Sequence, residues 1–248
     1  MKITAAFVTS AAGAGGFPTD GRPEIALVGR SNVGKSSLIN ALVRQRVART
    51  SAAPGKTRLA NIYEVAKGHA EPLYLVDLPG YGYARGGGDV AGEFAALTQA
   101  YFGRERRQRR DGQEGPDGTT SLGVPASPAA PDLVAALLLV DARHPGLESD
   151  RQACAWLRES VTNVAIVATK IDKLPRGQRI RARSELESVF EDSVLPVSAI
   201  TGEGLDELWN LIDKVVNSNS PNRHSSRSRP PKAMVPRLPK RARHPPKK

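Results

Sequence analysis

The sequence predicts an α/β fold in which a mostly parallel sheet of six strands is flanked by helices. Short apolar segments alternate with longer amphipathic ones, and 248 residues suffice for one well-buried domain with extensions. Such alternation is typical of a parallel sheet covered on both faces. The strand candidates are Ile25–Gly29, Asn61–Val65, Leu73–Leu78, Ala135–Asp141, Val164–Thr169 and Leu195–Ser198. The helix candidates are Lys35–Arg46, Glu93–Arg107, Ser149–Val161, Gln178–Glu191 and Leu205–Val216.

Composition divides the chain into a main domain and three other segments. We interpret residues 1–22 as an N-terminal lead-in and residues 23–216 as the main domain. Within that domain, residues 111–131 consist mainly of Gly, Pro, Ser and Thr, which predicts a flexible surface insertion. Residues 217–248 contain seven prolines and no acidic residue, so we predict a disordered, basic tail.

The net charge of +11 belongs almost entirely to this tail. Ten of the 36 lysines and arginines lie in residues 217–248, so residues 1–216 hold 26 basic and 25 acidic side chains. The tail lacks aromatic residues for base stacking. Any RNA binding through it is therefore expected to be electrostatic and weakened by salt.

Cysteine content and hydropathy predict a cytoplasmic protein. The single cysteine, Cys154, excludes an internal disulfide and fits a reducing compartment. No segment approaches the ~20 apolar residues that span a bilayer, and residues 1–8 are too short and too weakly apolar for a secretion signal. We therefore expect no membrane contact.

The most informative motif is a phosphate-binding loop at Gly29–Ser36, with the pattern G-x-x-x-x-G-K-S. It lies between the first strand candidate and the first helix candidate, which is the context that the motif requires. Backbone N–H groups of such a loop surround phosphates at the positive end of the helix. We expect Lys35 to reach the β- and γ-phosphates and the Ser36 hydroxyl to bind Mg²⁺.

A second group of candidates would complete a triphosphate and magnesium site. Asp77-Leu78-Pro79-Gly80 ends the third strand candidate. The Asp77 carboxylate is expected to hold Mg²⁺ through a water, and the Gly80 N–H to sense a γ-phosphate. Thr57, in a polar Gly/Pro segment before the second strand candidate, is a further magnesium ligand candidate, although a plain loop threonine is an open alternative.

The last two motifs predict recognition of guanine. Asp172, in Thr169-Lys170-Ile171-Asp172, can accept two hydrogen bonds from guanine N1 and N2, a pattern that adenine does not offer. The Lys170 stem can pack over the base, and a backbone N–H at Ser198–Ala199 can bond guanine O6. Each motif is weak alone, but all of them fall at carboxyl ends of strand candidates, where open α/β sheets bind ligands.

Together these motifs resemble the EngB-type (YihA/YsxC) GTPases of ribosome assembly. The resemblance covers roughly residues 1–110 and 132–216. It rests on the motifs above together with Pro23–Ala26, Ala48–Ser51, Pro54–Thr57, Tyr81–Ala84, Asp141–Pro145 and Lys173. It implies a compact Ras-like P-loop GTPase domain that binds GTP or GDP with Mg²⁺. Ser36 and Thr57 would be direct metal ligands. The resemblance places nucleotide contacts at Gly29, Arg30, Ser31, Asn32, Val33, Gly34, Lys35, Ser36, Gly55, Lys56, Thr57, Arg58, Leu59, Asp77, Leu78, Pro79, Gly80, Thr169, Lys170, Ile171, Asp172, Val197, Ser198 and Ala199.

The resemblance also implies a cellular role. We expect slow GTP hydrolysis in large ribosomal subunit assembly, with the subunit precursor and its rRNA as partners, and a requirement in cell division and septation. The protein is expected to be a monomer. Thr169 replaces the more general asparagine, whose side chain bonds guanine N7, and EngB-like sequences commonly share this threonine. Neither the 111–131 insertion nor the long tail fits the family pattern.

The candidate catalytic residues are Lys35, Thr57, Gly80 and Asn32. Ras-like enzymes place a water-orienting glutamine directly after Asp-x-x-Gly, but here that residue is Tyr81, which predicts slow intrinsic hydrolysis. In potassium-dependent GTPases, an asparagine at the position of Asn32 helps to hold K⁺. A monovalent cation there would stabilise negative charge in the transition state, so K⁺ is a candidate activator.

Several alternatives remain at the level of sequence. The chain could be an RNA-binding adaptor that uses its basic tail, with the GTPase domain as a regulatory switch. A P-loop metabolic kinase is disfavoured by the two guanine motifs. The basic run 104–110 is either a solvated helix end or a contact for rRNA. Tyr81–Tyr83 is either a mobile switch segment that packs on the ribosome or ordinary loop packing.

Overall fold

The computed structural model describes residues 2–50, 59–81, 96–104 and 132–219. The predictions for Gly55, Lys56, Thr57 and Arg58, for the 111–131 insertion and for residues 220–248 of the tail lie outside the described residues.

In the described part of the chain, seven strands form one sheet, in the order β1-β3-β4-β2-β5-β6-β7. The four neighbouring pairs from β4 to β7 are parallel, whereas β1 and β3 add two antiparallel pairs at one edge. The predicted mostly parallel sheet is therefore confirmed. The strands are β1 (Ile3–Ala11), β2 (Pro23–Gly29), β3 (Ala60–Lys67), β4 (Leu73–Asp77), β5 (Asp132–Asp141), β6 (Val164–Thr169) and β7 (Val194–Pro196).

The prediction of six strands was wrong, because the predicted lead-in supplies the edge strand β1. It pairs antiparallel with β3, with a register shift between Phe7 and Thr9. The Ser10 hydroxyl also donates to Asn61 Oδ1 on β3 at 2.7 Å. Most of β1 is exposed or half-buried, and Phe7 is 53% exposed. Such a strand lacks the apolar pattern by which buried strands are predicted.

Helices cover both faces of the sheet. Residues 96–104 are helical and are called α2. The other helices are α1 (Lys35–Val43), α3 (Glu148–Ser160), α4 (Arg176–Phe190) and α5 (Leu205–Asn219). Alternate residues of β2 enter separate cores: Ala26 and Val28 pack in the core that includes residues of α2 and α3, and Ile25 and Leu27 pack in the core that includes residues of α1 and α5. This explains why β2 is almost continuously apolar.

The basic run predicted at 104–110 begins with Arg104, a partly buried residue whose side chain is 13% exposed. The Arg104 guanidinium donates to Glu24 Oε2 on β2 at 2.9 Å and lies over the rings of Phe17 and Tyr101. Burial raises the pKa of Glu24, and Arg104 opposes that rise. Arg104 therefore holds α2 against the sheet and is not part of a solvated helix end. The rest of the run lies outside the described residues.

The parallel strands place their carboxyl ends at one edge of the sheet. In the register of the sheet, Leu27 lies beside Asp77 and Asp141 lies beside Thr169. The loops that follow β2, β4, β5, β6 and β7 therefore meet at this edge. No helix in the described part of the chain has the length and hydrophobicity to cross a membrane.

Candidate functional site

The phosphate loop joins β2 to α1, as predicted. Asn32 and Gly34 have left-handed backbones, with φ values of 62° and 115°. A φ of 115° is costly for any residue with a side chain, so a glycine suits position 34. Lys35 is the first residue of α1, and its Nζ donates to the carbonyl oxygens of Gly29 at 3.0 Å and Arg30 at 3.3 Å. Lys35 is thus bonded to the same loop that is predicted to bind the phosphates.

Ser36 and Asp77 form the other half of the phosphate end. The Ser36 hydroxyl donates to Asp77 Oδ2 at 2.6 Å. As the motifs predict, this bond joins α1 to β4 through two residues that are 41 positions apart in the chain. The second oxygen, Asp77 Oδ1, is buried and has no hydrogen-bond partner among the described residues. A hydroxyl beside a carboxylate with a free oxygen is a donor set that suits Mg²⁺, a cation that prefers oxygen ligands.

Burial shifts the protonation equilibria at this end of the site. It lowers the pKa of Lys35 and raises the pKa of Asp77, and in each case the charge of the other residue opposes the shift. The Ser36 hydroxyl also favours the ionised carboxylate. Because isolated buried charges are costly, these groups are suited to a ligand that brings both phosphate anions and a metal cation.

Gly80 lies directly against the phosphate loop. A Cβ on Gly80 would lie 2.5 Å from the Ser31 nitrogen, a distance that real contacts do not reach. The Ser31 N–H donates to the Tyr81 carbonyl at 3.1 Å, and the Ser31 hydroxyl donates to the Gly80 carbonyl at 3.3 Å. Sequence reasoning missed this contact, because nothing in either motif indicates which loop residue faces the glycine.

At the other end of the site, Asp172 and Ser198 are hydrogen-bonded to each other. The Ser198 hydroxyl donates to Asp172 Oδ1 at 2.8 Å and accepts from the N–H groups of Ile200 and Thr201 at 3.2 and 3.1 Å. The backbone N–H of Val197 donates to Ala168 on the neighbouring strand. The two motifs predicted to read guanine are therefore adjacent, with the aspartate already oriented by the serine.

Thr169 and Lys170 connect this guanine end to the phosphate loop. Thr169 is buried, and its hydroxyl lies within hydrogen-bond distance of the carbonyl oxygens of Val33 at 2.8 Å and Val140 at 3.1 Å. Lys170 Nζ donates to the Asn32 carbonyl at 2.6 Å and to Asp141 Oδ2 at 2.9 Å. The hydroxyl and the ammonium therefore both brace the phosphate loop.

Asp141 is a site residue that sequence reasoning did not assign. It ends β5, between the strands that carry the phosphate and guanine motifs, and it also accepts hydrogen bonds from Arg143 at 2.9 and 2.7 Å. Burial alone would raise the pKa of Asp141, but the bonds from Arg143 and Lys170 outweigh burial and hold that pKa well below its usual range. Its position at a strand's carboxyl end was the available signal.

The remaining predicted contacts lie near these groups or outside the described residues. Leu78 and Pro79 continue from β4 beside Gly80, and Ile171 and Ala199 belong to the two guanine loops. Leu59 is exposed and precedes β3. The structure thus brings the phosphate loop, Asp77–Gly80, Thr169–Asp172 and Val197–Ala199 to one edge of the sheet.

Comparison with known proteins agrees with this geometry. A family model described as 50S ribosome-binding GTPase matches residues 24–112. The probable GTP-binding protein EngB of Chlorobaculum parvum is 39% identical over 217 residues, which cover 86% of this chain and 98% of that protein. The crystal structure of Aquifex aeolicus Era bound to GDP and AlF₄⁻ has a TM-score of 0.61 at 21% identity, over 88% of this chain and 62% of Era. The crystal structure of a probable GTP-binding protein EngB has a TM-score of 0.53 at 20% identity, over 79% of this chain and 99% of that chain.

The fold and the arrangement of these loops define a P-loop GTP-binding domain of the Ras-like class. Several curated relatives match most of the chain at 35–40% identity. The chain belongs to the EngB family of GTP-binding proteins.

Proposed function

We propose that this protein binds GTP with Mg²⁺, hydrolyses GTP slowly, and acts in assembly of the large ribosomal subunit. The proposal rests on the contact between the loop predicted to bind phosphates and the motif predicted to read guanine. Lys170 of the guanine motif donates to the Asn32 carbonyl of the phosphate loop, and Ser198 holds Asp172 at the same edge of the sheet. Membership of the EngB family and the match to a model described as 50S ribosome-binding GTPase support the cellular part.

In the proposed reaction, the chain's own residues bind and orient the triphosphate. Lys35 supplies a cation to the β- and γ-phosphates, and the N–H groups of the phosphate loop surround them. Ser36 and Thr57 are proposed as direct ligands of Mg²⁺, and Asp77 would hold the ion through a water. When bound, the metal neutralises charge on the phosphate oxygens. Tyr81 has no amide to orient a water, so intrinsic hydrolysis should be slow.

We also propose that K⁺ accelerates hydrolysis through Asn32. Asn32 is exposed in the phosphate loop, and its left-handed backbone is held by the bond from Lys170. Turnover should be faster in KCl than in NaCl at equal ionic strength, and Asn32→Ala should abolish the difference. Equal turnover of the unmodified protein in the two salts would exclude K⁺ as an activator.

The cellular proposal is tested by sedimentation of ribosomal particles. The protein should sediment with large-subunit precursors in the presence of a non-hydrolysable GTP analogue and should be released with GDP. Asp172→Asn is the matched control, since it alters guanine recognition without changing the basic surface. Binding that is independent of the nucleotide would contradict the proposal.

A requirement in cell division would follow from the same role. Depletion should cause large-subunit precursors to accumulate before septation fails. Failure of septation with normal ribosome profiles would separate the two activities and contradict this part of the proposal.

The adaptor hypothesis has one observation in its favour, the ten lysines and arginines in residues 217–248. A chain that ends at Asn219 keeps α5 intact and removes all ten of these cations. If the tail is the main RNA contact, this truncation should remove most of the salt dependence of RNA binding. If nucleotide-dependent particle binding survives the truncation, the GTPase domain is the main contact.

A further inference from the structure

Tyr81, which directly follows Gly80, has its side chain tied to a helix on one face of the sheet. The phenol hydroxyl donates to Asp150 Oδ1 at 2.8 Å. Asp150 lies in the first turn of α3 and is only 2% exposed. The hydroxyl is therefore directed toward α3, although this residue occupies the position at which Ras-like enzymes carry their water-orienting glutamine.

The backbone of the same residue is tied to the phosphate loop. The Tyr81 carbonyl accepts from the Ser31 N–H at 3.1 Å, and Tyr81 forms an isolated parallel bridge with Arg30. Gly80 is packed so closely on Ser31 that a methyl group would not fit between them. Residues 80 and 81 are thus fixed at two places, on the loop by their backbone and on α3 by the phenol.

The surroundings of Asp150 and Tyr81 favour a hydrogen bond between an ionised carboxylate and a protonated phenol. Burial raises the pKa of Asp150, while the Tyr81 hydroxyl and the charge of Arg30 favour its ionised form. Burial and the neighbouring carboxylate also raise the pKa of Tyr81, so the phenol stays protonated and remains a donor. Without that donor, the buried carboxylate would lose the one hydrogen bond that the structure gives its side chain among the described residues.

We propose that Tyr81 is a positioning residue whose bond to Asp150 sets the preference of the site for GTP over GDP. The inference rests on the proposed function and on the sequence-based expectation that the Gly80 N–H contacts the γ-phosphate, which GDP lacks. With the Tyr81–Asp150 bond in place, residue 80 is already held beside the phosphate loop. Without the bond, GTP would have to order this segment on binding, whereas GDP would not.

The test compares two tyrosines that make the same kind of bond. Tyr81→Phe keeps the ring and removes the hydroxyl. Tyr74→Phe is the matched control, because the Tyr74 hydroxyl donates to Asp20 Oδ2, also at 2.8 Å, outside the predicted site. Dissociation constants for GDP and for a non-hydrolysable GTP analogue are measured by calorimetry, and melting curves confirm that each variant is folded.

Tyr81→Phe should weaken binding of the GTP analogue about fivefold to tenfold relative to GDP. Asp150→Ala should change the ratio in the same direction, and the double variant should show no larger change than either single variant, because both remove one bond. Tyr74→Phe should leave the ratio unchanged. An unchanged ratio in Tyr81→Phe, or additive effects in the double variant, would overturn the inference.

A further comparison separates this inference from the proposed function. If the unmodified protein binds neither nucleotide, the proposed function fails. If it binds both nucleotides and Tyr81→Phe weakens them equally, the proposed function stands and the role of Tyr81 in discrimination is overturned.

Discussion

The two ends of the predicted nucleotide site differ in how far the protein completes them by itself. At the guanine end, Asp172 is already bonded to Ser198, which in turn accepts two backbone N–H groups. At the phosphate end, Asp77 Oδ1 is buried with no hydrogen-bond partner among the described residues, and Lys35 is bonded to carbonyls of its own loop. The difference indicates that the end predicted to read guanine is preorganised, whereas the end predicted to bind phosphate keeps a buried oxygen that a ligand is expected to satisfy.

Lys170 connects the two ends of the predicted site by hydrogen bonds. It lies in the guanine motif, yet its ammonium bonds the phosphate loop and Asp141. A change at one end is therefore expected to affect the other through this brace. The predictions below separate the contributions of the two ends, beginning with the largest expected effect.

Replacing Lys35 with alanine should disable the phosphate end for both nucleotides. The ammonium is expected to make charge-assisted bonds to phosphate, each worth about 1.5–3 kcal/mol. We expect affinity for GTP and for GDP to fall at least about 100-fold, as measured by calorimetry. Lys67→Ala is the control, because that lysine also forms an ion pair, with Asp213, but belongs to β3. A loss of less than about tenfold would contradict a dominant role for Lys35.

Asp172→Asn should change selectivity at the guanine end. An asparagine cannot accept both guanine N–H groups, but its amide can donate to the carbonyl that xanthine carries at C2. GTP affinity should fall by about 30- to 100-fold, while affinity for xanthosine triphosphate should rise. Competition binding with GTP, XTP and ATP measures the change. Unaltered selectivity among the three nucleotides would show that Asp172 does not read the base.

Ser198→Ala tests whether the preorganisation of Asp172 matters. The change removes the 2.8 Å bond to the carboxylate and the acceptor for two N–H groups. A bond of this kind contributes about 1 kcal/mol, so GTP and GDP should both bind about fivefold more weakly. Ser10→Ala, which removes a side-chain bond between β1 and β3, provides the comparison. Equal affinities in the two variants would argue against preorganisation.

Asp141→Asn should produce a small effect on the stability of the fold. Because the pKa of Asp141 is held below its usual range in the folded protein, the charged carboxylate stabilises the fold above about pH 4, and this stabilisation disappears as the pH falls further. Arg143 is partly exposed, which reduces the contribution. We expect the variant to lose about 1 kcal/mol at pH 7 and less at pH 3, as measured by urea unfolding. A difference that grows toward low pH would contradict this sign.

The site was largely predictable because its motifs are local. Gly29–Ser36, Asp77–Gly80 and Thr169–Asp172 each follow an apolar strand, and a parallel sheet must place such segments at one edge. The roles of Lys170 and Thr169 were harder to predict. Their bonds to the phosphate loop join residues 138 and 136 positions apart, and no local pattern indicates such a partner.

By itself, the sequence determined the alternation of strands and helices, the phosphate loop and the position of the guanine motifs, because hydrophobic periodicity and glycine-containing turns act over a few residues. Only the tertiary structure decided that Ile3–Ala11 is an edge strand, that Arg104 pairs with the buried Glu24, and that the Tyr81 hydroxyl reaches Asp150. Each of these depends on partners that are distant in the chain and become neighbours only when the sheet and its covering helices have assembled.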